Sequence, residues 1–166
     1  MWFESHSPEE TAALGRALAE VLDAEAGLFV SLSGPLGAGK TVWVKGAATG
    51  LGIDPSGVTS PTFVIANRHE GPPGGTPLIH ADLYRIESEP ELLAAGFLDW
   101  LEPGALVVAE WGDRFPDALP QDRLELRIER TGEAARRFEA TPWGPAAQAA
   151  LARLAEALAP GAHGEG

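Results

Sequence analysis

Eight consecutive residues, Gly34-Pro35-Leu36-Gly37-Ala38-Gly39-Lys40-Thr41, fit the pattern G-x-x-x-x-G-K-[ST]. In that pattern the glycines let the backbone curl until successive N–H groups point inward at phosphate oxygens. The helix that follows adds its positive N-terminal end. Lys40 is then placed to reach β- and γ-phosphates, and the Thr41 hydroxyl to ligate Mg²⁺. The pattern carries weight only between a strand and a helix. Before it, Gly27-Leu28-Phe29-Val30-Ser31-Leu32-Ser33 is an apolar run of strand length; after it, Val42-Trp43-Val44-Lys45-Gly46-Ala47-Ala48 has helical spacing. The bland alternative is a glycine-rich turn with an incidental lysine. The chain holds only two lysines, Lys40 and Lys45, so a chance lysine at this place is rare.

Such a site needs an acid at a strand end, to hold Mg²⁺ directly or through water. Two candidate strands end that way. His80-Ala81-Asp82 closes one; Glu110 closes the apolar run Ala105–Ala109, with Trp111 next to it. Either acid can also orient or deprotonate an attacking water. An acid at such a place also serves as a helix cap or turn residue, and spacing alone does not separate the two roles. Thr59-Ser60-Pro61-Thr62 follows the loop helix, where nucleotide switches place a hydroxyl that senses the γ-phosphate through Mg²⁺. A Ser-Pro turn opening a strand is the plain reading of the same residues. Tyr84-Arg85 offers either a phosphate-facing guanidinium or a surface pair. His80, alone among the four histidines in sitting beside other candidates, reads as a hydrogen-bonded structural residue.

The elements that must position these groups are legible in outline. Ser7 as N-cap, Pro8 at the first position and Glu10 closing a capping box start a helix. Ala13, Leu14, Ala17, Leu18, Val21 and Leu22 continue it for about four turns. Gly50 and Gly52 stop the loop helix. Strands are expected at Phe63-Val64-Ile65-Ala66, at Leu78 to Tyr84 and at Ala105 to Ala109, the last buried on both faces. A helical stretch from Pro90 to Leu101 breaks near Gly96. Leu124, Leu126 and Ile128 alternate with Glu125, Arg127 and Glu129, which suits a half-exposed strand, and Phe138 lies in its partner beyond the turn at Thr131-Gly132. An alanine-rich helix runs from Ala146 to Ala159. Strands alternating with helices, then a late antiparallel β-pair, predict an α/β three-layer sandwich with a mostly parallel sheet, its ligand at the carboxyl ends of the parallel strands.

Composition bounds the partners. At 166 residues with 45% hydrophobic and 22% charged residues, a single globular domain is expected over 1–159, with a frayed tail at 160–166. No run of apolar residues is long enough for a membrane span, the N-terminus reads as no secretion signal, and no cysteine occurs, all of which fit a cytoplasmic protein. The formal net charge is −12, and direct binding of nucleic acid needs a basic face to displace counterions. The loose arginine group at Arg123, Arg127, Arg130, Arg136 and Arg137 alternates with glutamates and reads as a salt-bridged strand surface. A nucleotide with Mg²⁺ and a protein partner suit this body better than nucleic acid.

The phosphate-loop octapeptide, Thr59-Ser60-Pro61-Thr62-Phe63, His80-Ala81-Asp82-Leu83-Tyr84-Arg85 and Glu110-Trp111, in this order, resemble the TsaE (YjeE) family of bacterial P-loop ATPases. That resemblance implies a P-loop NTPase fold and slow, Mg²⁺-dependent ATP hydrolysis in support of the TsaB–TsaD pair, which forms N6-threonylcarbamoyladenosine in tRNA. It implies that Gly34 to Val42, Thr62 and Trp111 contact ATP, that Thr41, Asp82 and Glu110 serve the metal, and that Lys40, Asp82 and Glu110 serve catalysis. Two residues depart from the family's common pattern, Pro35 for Asp and Val42 for Thr; Pro35 removes one N–H from the cradle. A small-molecule or nucleoside kinase and a nucleotide switch without turnover are the other readings of the same loop. With no N-K-x-D base-reading motif visible, ATP is expected over GTP.

Overall fold

The computed structural model describes residues 1–61 and 65–159. Seven strands form one sheet in the order β1-β7-β6-β2-β5-β4-β3. They are β1 (Trp2–Ser5), β2 (Leu28–Ser33), β3 (Ala66–His69), β4 (Leu78–Asp82), β5 (Leu106–Glu110), β6 (Arg123–Arg130) and β7 (Arg136–Trp143). The four central strands, β6-β2-β5-β4, are parallel, while β1, β7 and β3 pair antiparallel. The late antiparallel pair is therefore β6–β7, as its alternation predicts.

Helices cover both sides of the centre. On one face α1 (Pro8–Glu20), α2 (Lys40–Gly50) and α5 (Pro145–Leu158) pack on Val30 and Leu32 of β2, Val108 of β5 and Leu124 and Ile128 of β6. On the other, α3 (Glu89–Ala94) and α4 (Phe97–Trp100) cover Phe29, Ile79 and Val107. Among the described residues that second apolar cluster includes none from β6 or β7, where Glu125, Arg127, Glu129 and Thr141 alternate with buried Leu124, Leu126, Ile128 and Ala140. Gly96, at φ 100°, separates α3 from α4.

The α1–α2 contact is the closest helix pair. Burial in α1 is deepest at Thr11, Gly15, Leu18 and Ala19, and Leu14, Ala17, Val21 and Leu22 pack partly buried on the same core, so the packed face is wider than the leucine stripe alone. Glycine explains the added width. A Cβ on Gly15 would lie 2.1 Å from Trp43 O, and one on Gly46 1.9 Å from Ala12 O, so the two backbones touch only because both side chains are absent. At the start of α1, Ser7 accepts the Glu10 amide at 3.1 Å. The Glu10 carboxylate takes the His6 amide at 2.7 Å, one residue ahead of the N-cap. Leu51 and Gly52 (φ 75°) end α2.

Three strand assignments differ from the sequence expectation. The strand placed at Phe63-Val64-Ile65-Ala66 is Ala66–His69, because its register with β4 runs from Ala66↔Ala81 to His69↔Leu78; Phe63 and Val64 lie outside the described residues. As an edge strand its Asn67-Arg68-His69 run has no apolar signature. β4 stops at Asp82, whose carboxylate takes the Tyr84 amide at 2.9 Å and turns the chain. β1, a four-residue edge strand, has no counterpart in the sequence reading. The expected frayed tail, 160–166, lies outside the described residues.

Candidate active site

Register builds the site. In the parallel core Leu32 of β2 stands opposite Glu110 of β5, and Glu110 opposite Asp82 of β4. Three carboxyl ends therefore stop in one row, and the loop Gly34–Gly39 leaves β2 at that row. Asp82 and Glu110 alternate with apolar residues on the sheet face that α2 covers, so both acids look towards the first turn of α2, where Lys40 and Thr41 sit. A cavity of about 530 Å³ opens there, lined by the loop, Ser60, Asp82, Glu110 and Trp111, within the usual range for nucleotide-sized ligands. Pro8 and Thr11 of α1 and Glu133, Ala134 and Arg136 at the β6–β7 end wall its far side.

The loop is wound as its glycines require. Gly37 and Gly39 have φ of 77° and 103°, a left-handed region that other residues avoid. Leu36 at the apex is 76% exposed. Lys40 is 7% exposed, and its Nζ donates to Gly34 O at 2.5 Å and Pro35 O at 3.0 Å. The same ammonium lies 4.3 Å from the centroid of the Trp111 ring. Burial pulls its pKa below the usual lysine value, against the attraction of Glu110, Asp82 and Asp113. A cation held by two carbonyls and a ring face has its charge unspent, and phosphate oxygens are stronger partners for it.

Trp111 is the one non-glycine residue with positive φ among the described residues, at 62°. Such a backbone costs on the order of 1–3 kcal/mol and persists where the surroundings enforce it. Here its N–H donates to Leu32 O at 3.0 Å. The next residue is glycine, since a Cβ there would come 2.5 Å from Ser31 Oγ. The tight turn swings the indole over Lys40 and against Tyr84, ring centroids 5.1 Å apart. Arg114 closes the corner by donating to the carbonyls of Leu83 and Tyr84.

The two acids differ. Asp82 is half-buried; burial first, and then the neighbouring Glu110 charge, raise its pKa above the ordinary 3.8, while the Tyr84 amide works the other way. Glu110 is 3% exposed, with Oε2 bonded to His80 Nε2 at 2.6 Å. Thr41 Oγ1 is 2.7 Å from Ser60 Oγ, which ties the Thr59–Pro61 segment to the loop. Thr62 lies outside the described residues, so the hydroxyl found beside Thr41 is that of Ser60. Oxygen donors of this kind, a threonine hydroxyl and two carboxylates, fit Mg²⁺. Among the described residues no group of three His, Cys, Asp or Glu is placed to hold a metal ion.

Residues 5–138, which hold the loop, both acids and Trp111, match the family model described as threonylcarbamoyl adenosine biosynthesis protein TsaE. The chain belongs to the TsaE family. It is 45% identical over 117 residues to the tRNA threonylcarbamoyladenosine biosynthesis protein TsaE of Streptomyces coelicolor, covering 70% of this chain and 77% of that one. To the protein of the same name from Bacillus subtilis it is 39% identical over 138 residues, 83% of each. A crystal structure of Bacillus subtilis YdiB superposes with a TM-score of 0.75 at 30% identity, over 94% of both chains. TsaE membership places the chain in tRNA threonylcarbamoyladenosine biosynthesis, and its P-loop fold suggests nucleotide binding.

One site residue escaped the sequence reading. By its sequence Arg136 belongs with a salt-bridged strand surface, and Arg123–Glu125, Arg127–Glu129 and Arg137–Glu4 do form such pairs at 2.9, 3.7 and 3.4 Å. Arg136 instead reaches across the sheet edge: Nε donates to Ala38 O at 2.8 Å and Nη2 to Gly37 O at 3.2 Å. Its Nη1 holds Gly132, Glu133 and Ala135 carbonyls of the β6–β7 turn. No motif links residues 98 apart in sequence, so only the fold reveals this bracket.

Proposed function

We propose that this chain binds ATP with Mg²⁺ and hydrolyses it slowly, and that hydrolysis drives or resets the TsaB–TsaD pair that makes N6-threonylcarbamoyladenosine in tRNA. The observation that carries this reading is the row Leu32–Glu110–Asp82, which delivers two carboxylates and the phosphate loop to one cavity. Loop amides from Gly37 to Thr41 cradle the phosphates, with Arg136 holding the Gly37 and Ala38 carbonyls outward. Lys40 leaves Gly34 O and Pro35 O to meet the β- and γ-phosphates. Thr41, Asp82 and Glu110 hold Mg²⁺ and the attacking water between them; the ion, when bound, neutralises charge on the transferred phosphoryl group. Trp111 lies over the lysine and beside the nucleotide. These roles act on the transition state more than on the ground state, so loss of either acid lowers hydrolysis more than affinity.

The partner half of the proposal follows from charge and linkage. A body of net charge −12 gains little from phosphate contacts with tRNA, so the route to the tRNA runs through protein. If the Thr59–Pro61 segment, already bonded to Thr41, responds to the γ-phosphate, a partner touching it binds the ATP and ADP states unequally. The test is the affinity of the chain for the TsaB–TsaD pair with a non-hydrolysable ATP analogue, with ADP and without nucleotide, beside a gel shift with tRNA alone. Unequal partner affinities and no tRNA shift are expected. Equal affinities in all three states contradict the switch, and tight tRNA binding without partner binding contradicts the role.

A further inference from the structure

His80 has no place in the phosphate, metal or water contacts proposed above. It lies two residues before Asp82 on the same face of β4, one step deeper than the carboxylate row, and is 0% exposed. Its Nε2 is 2.6 Å from Glu110 Oε2, and its Nδ1 has no partner among the described residues. A carboxylate accepts, so the bond runs from Nε2–H to Oε2. We propose that His80 is a positioning residue for Glu110, engaging Oε2 from the core side and so leaving Oε1 as the oxygen offered to the cavity.

The forces on Glu110 show why such a tether is needed. Asp82 is its lateral neighbour in the sheet and repels it, while the Lys40 ammonium attracts it. With those two forces alone, the favourable motion is collapse onto Lys40, an ion pair that would remove both groups from the nucleotide. A short hydrogen bond from a histidine packed into the core opposes that motion from behind. Partners behind a ligating or catalytic carboxylate fix its orientation, and their loss typically costs about 10- to 100-fold in activity. A purely structural histidine would affect stability and leave Glu110 alone.

The proposal rests on the ATPase reading, and its test separates the two. Single-turnover ATP hydrolysis with the partner pair present is measured for the wild type, His80→Leu, His80→Asn, His80→Gln, Glu110→Gln and the double variant His80→Leu/Glu110→Gln, alongside ADP affinity and melting temperature. Gln can present its amide nitrogen near the Nε2 position, whereas Asn is too short. Expected are a loss of about 10- to 100-fold for Leu and Asn, near-normal turnover for Gln, ADP affinity within about threefold for the three His80 single variants, and no further loss of turnover from His80→Leu on the Glu110→Gln background. If Leu fails to fold, the Asn and Gln pair carries the same contrast. His80→Asn turning over like the wild type, or losses that multiply in the double variant, would overturn the positioning role. A wild type with no turnover would overturn the ATPase reading itself, and the role with it.

Discussion

Two residues of the site are set against their own comfort. Asp82 keeps its carboxylate half-buried beside Glu110, and its pKa is raised in the fold. A raised carboxylate adds stability while protonated and loses it as pH climbs from the unfolded value of 3.8 through the higher folded one, so at neutral pH the charge opposes folding. Asp82→Asn keeps the acceptor for the Tyr84 amide and removes the charge. Its melting temperature at neutral pH should therefore exceed that of the wild type, by less than the ~2–4 °C that about 1 kcal/mol gives at this size, since solvent screens a half-exposed group. The gain should vanish below pH 3.8, and a lower melting temperature at neutral pH would mean that Asp82 is a stabilising turn acid only. Trp111 holds a left-handed backbone, and its ring covers Lys40, the residue proposed to meet phosphate. Tryptophan fluorescence should change on adding ADP, and most of that change should disappear in Trp111→Phe, although Trp2, Trp43, Trp100 and Trp143 remain. An undiminished response in the variant would place the reporting tryptophan elsewhere. The sequence could name Asp82, Glu110 and Trp111, because strand-end acids follow apolar runs. A hydrogen-bonded His80 was readable too, but the left-handed backbone of Trp111 and the choice of Glu110 as the His80 partner were beyond it, since both depend on which strands become neighbours.

Among the elements, α2 governs the site, because its first turn carries Lys40 and Thr41 and its flank is pressed on α1. Gly46→Ala puts a methyl group 1.9 Å from Ala12 O, with backbone on both sides and no flexible side chain to give way. The two helices must part, at an overpacking cost of about 1–3 kcal/mol. Chemical denaturation should show that loss, and an unchanged midpoint would mean that α1 moves freely over α2. The β6–β7 hairpin acts on the loop from the opposite side. Arg136→Ala removes charge-assisted bonds to Ala38 O and Gly37 O and unties the β6–β7 turn from the cavity wall. Nucleotide affinity should fall about tenfold, equivalent to ~1.4 kcal/mol. The melting temperature should move little, since the guanidinium is part-exposed. Titration calorimetry with ADP checks it, and wild-type affinity would reduce Arg136 to a surface residue. Helix starts at Ser7-Pro8, the stop at Gly50–Gly52 and the alternation of β6 were readable because each is a local signal. The edge strands β1 and β3 were not, because polar or very short edges take their structure from the strand they join.

At the scale of the whole molecule, the parallel core brings three strand ends into one row, and the antiparallel β6–β7 pair supplies, through its turn, a wall of the cavity there. The class of the fold was legible from alternating elements and one loop motif; the strand order that makes Glu110 the neighbour of both Leu32 and Asp82 was not, since pairing is a tertiary choice. The acidic body, the cavity that gathers Lys40, Thr41, Asp82 and Glu110, and the TsaE membership together favour a nucleotide-driven step carried out on a protein partner. Single-turnover hydrolysis of ATP by the chain, with Mg²⁺ and with or without the TsaB–TsaD pair, tests that claim most directly, with Lys40→Ala and Glu110→Gln run in parallel. The account predicts slow hydrolysis by the wild type that rises with the pair, no nucleotide binding by a folded Lys40→Ala, and binding without turnover by Glu110→Gln, a loss on the order of 10²- to 10³-fold. Wild-type turnover by either folded variant, or no turnover by the wild type with the pair present, would contradict it.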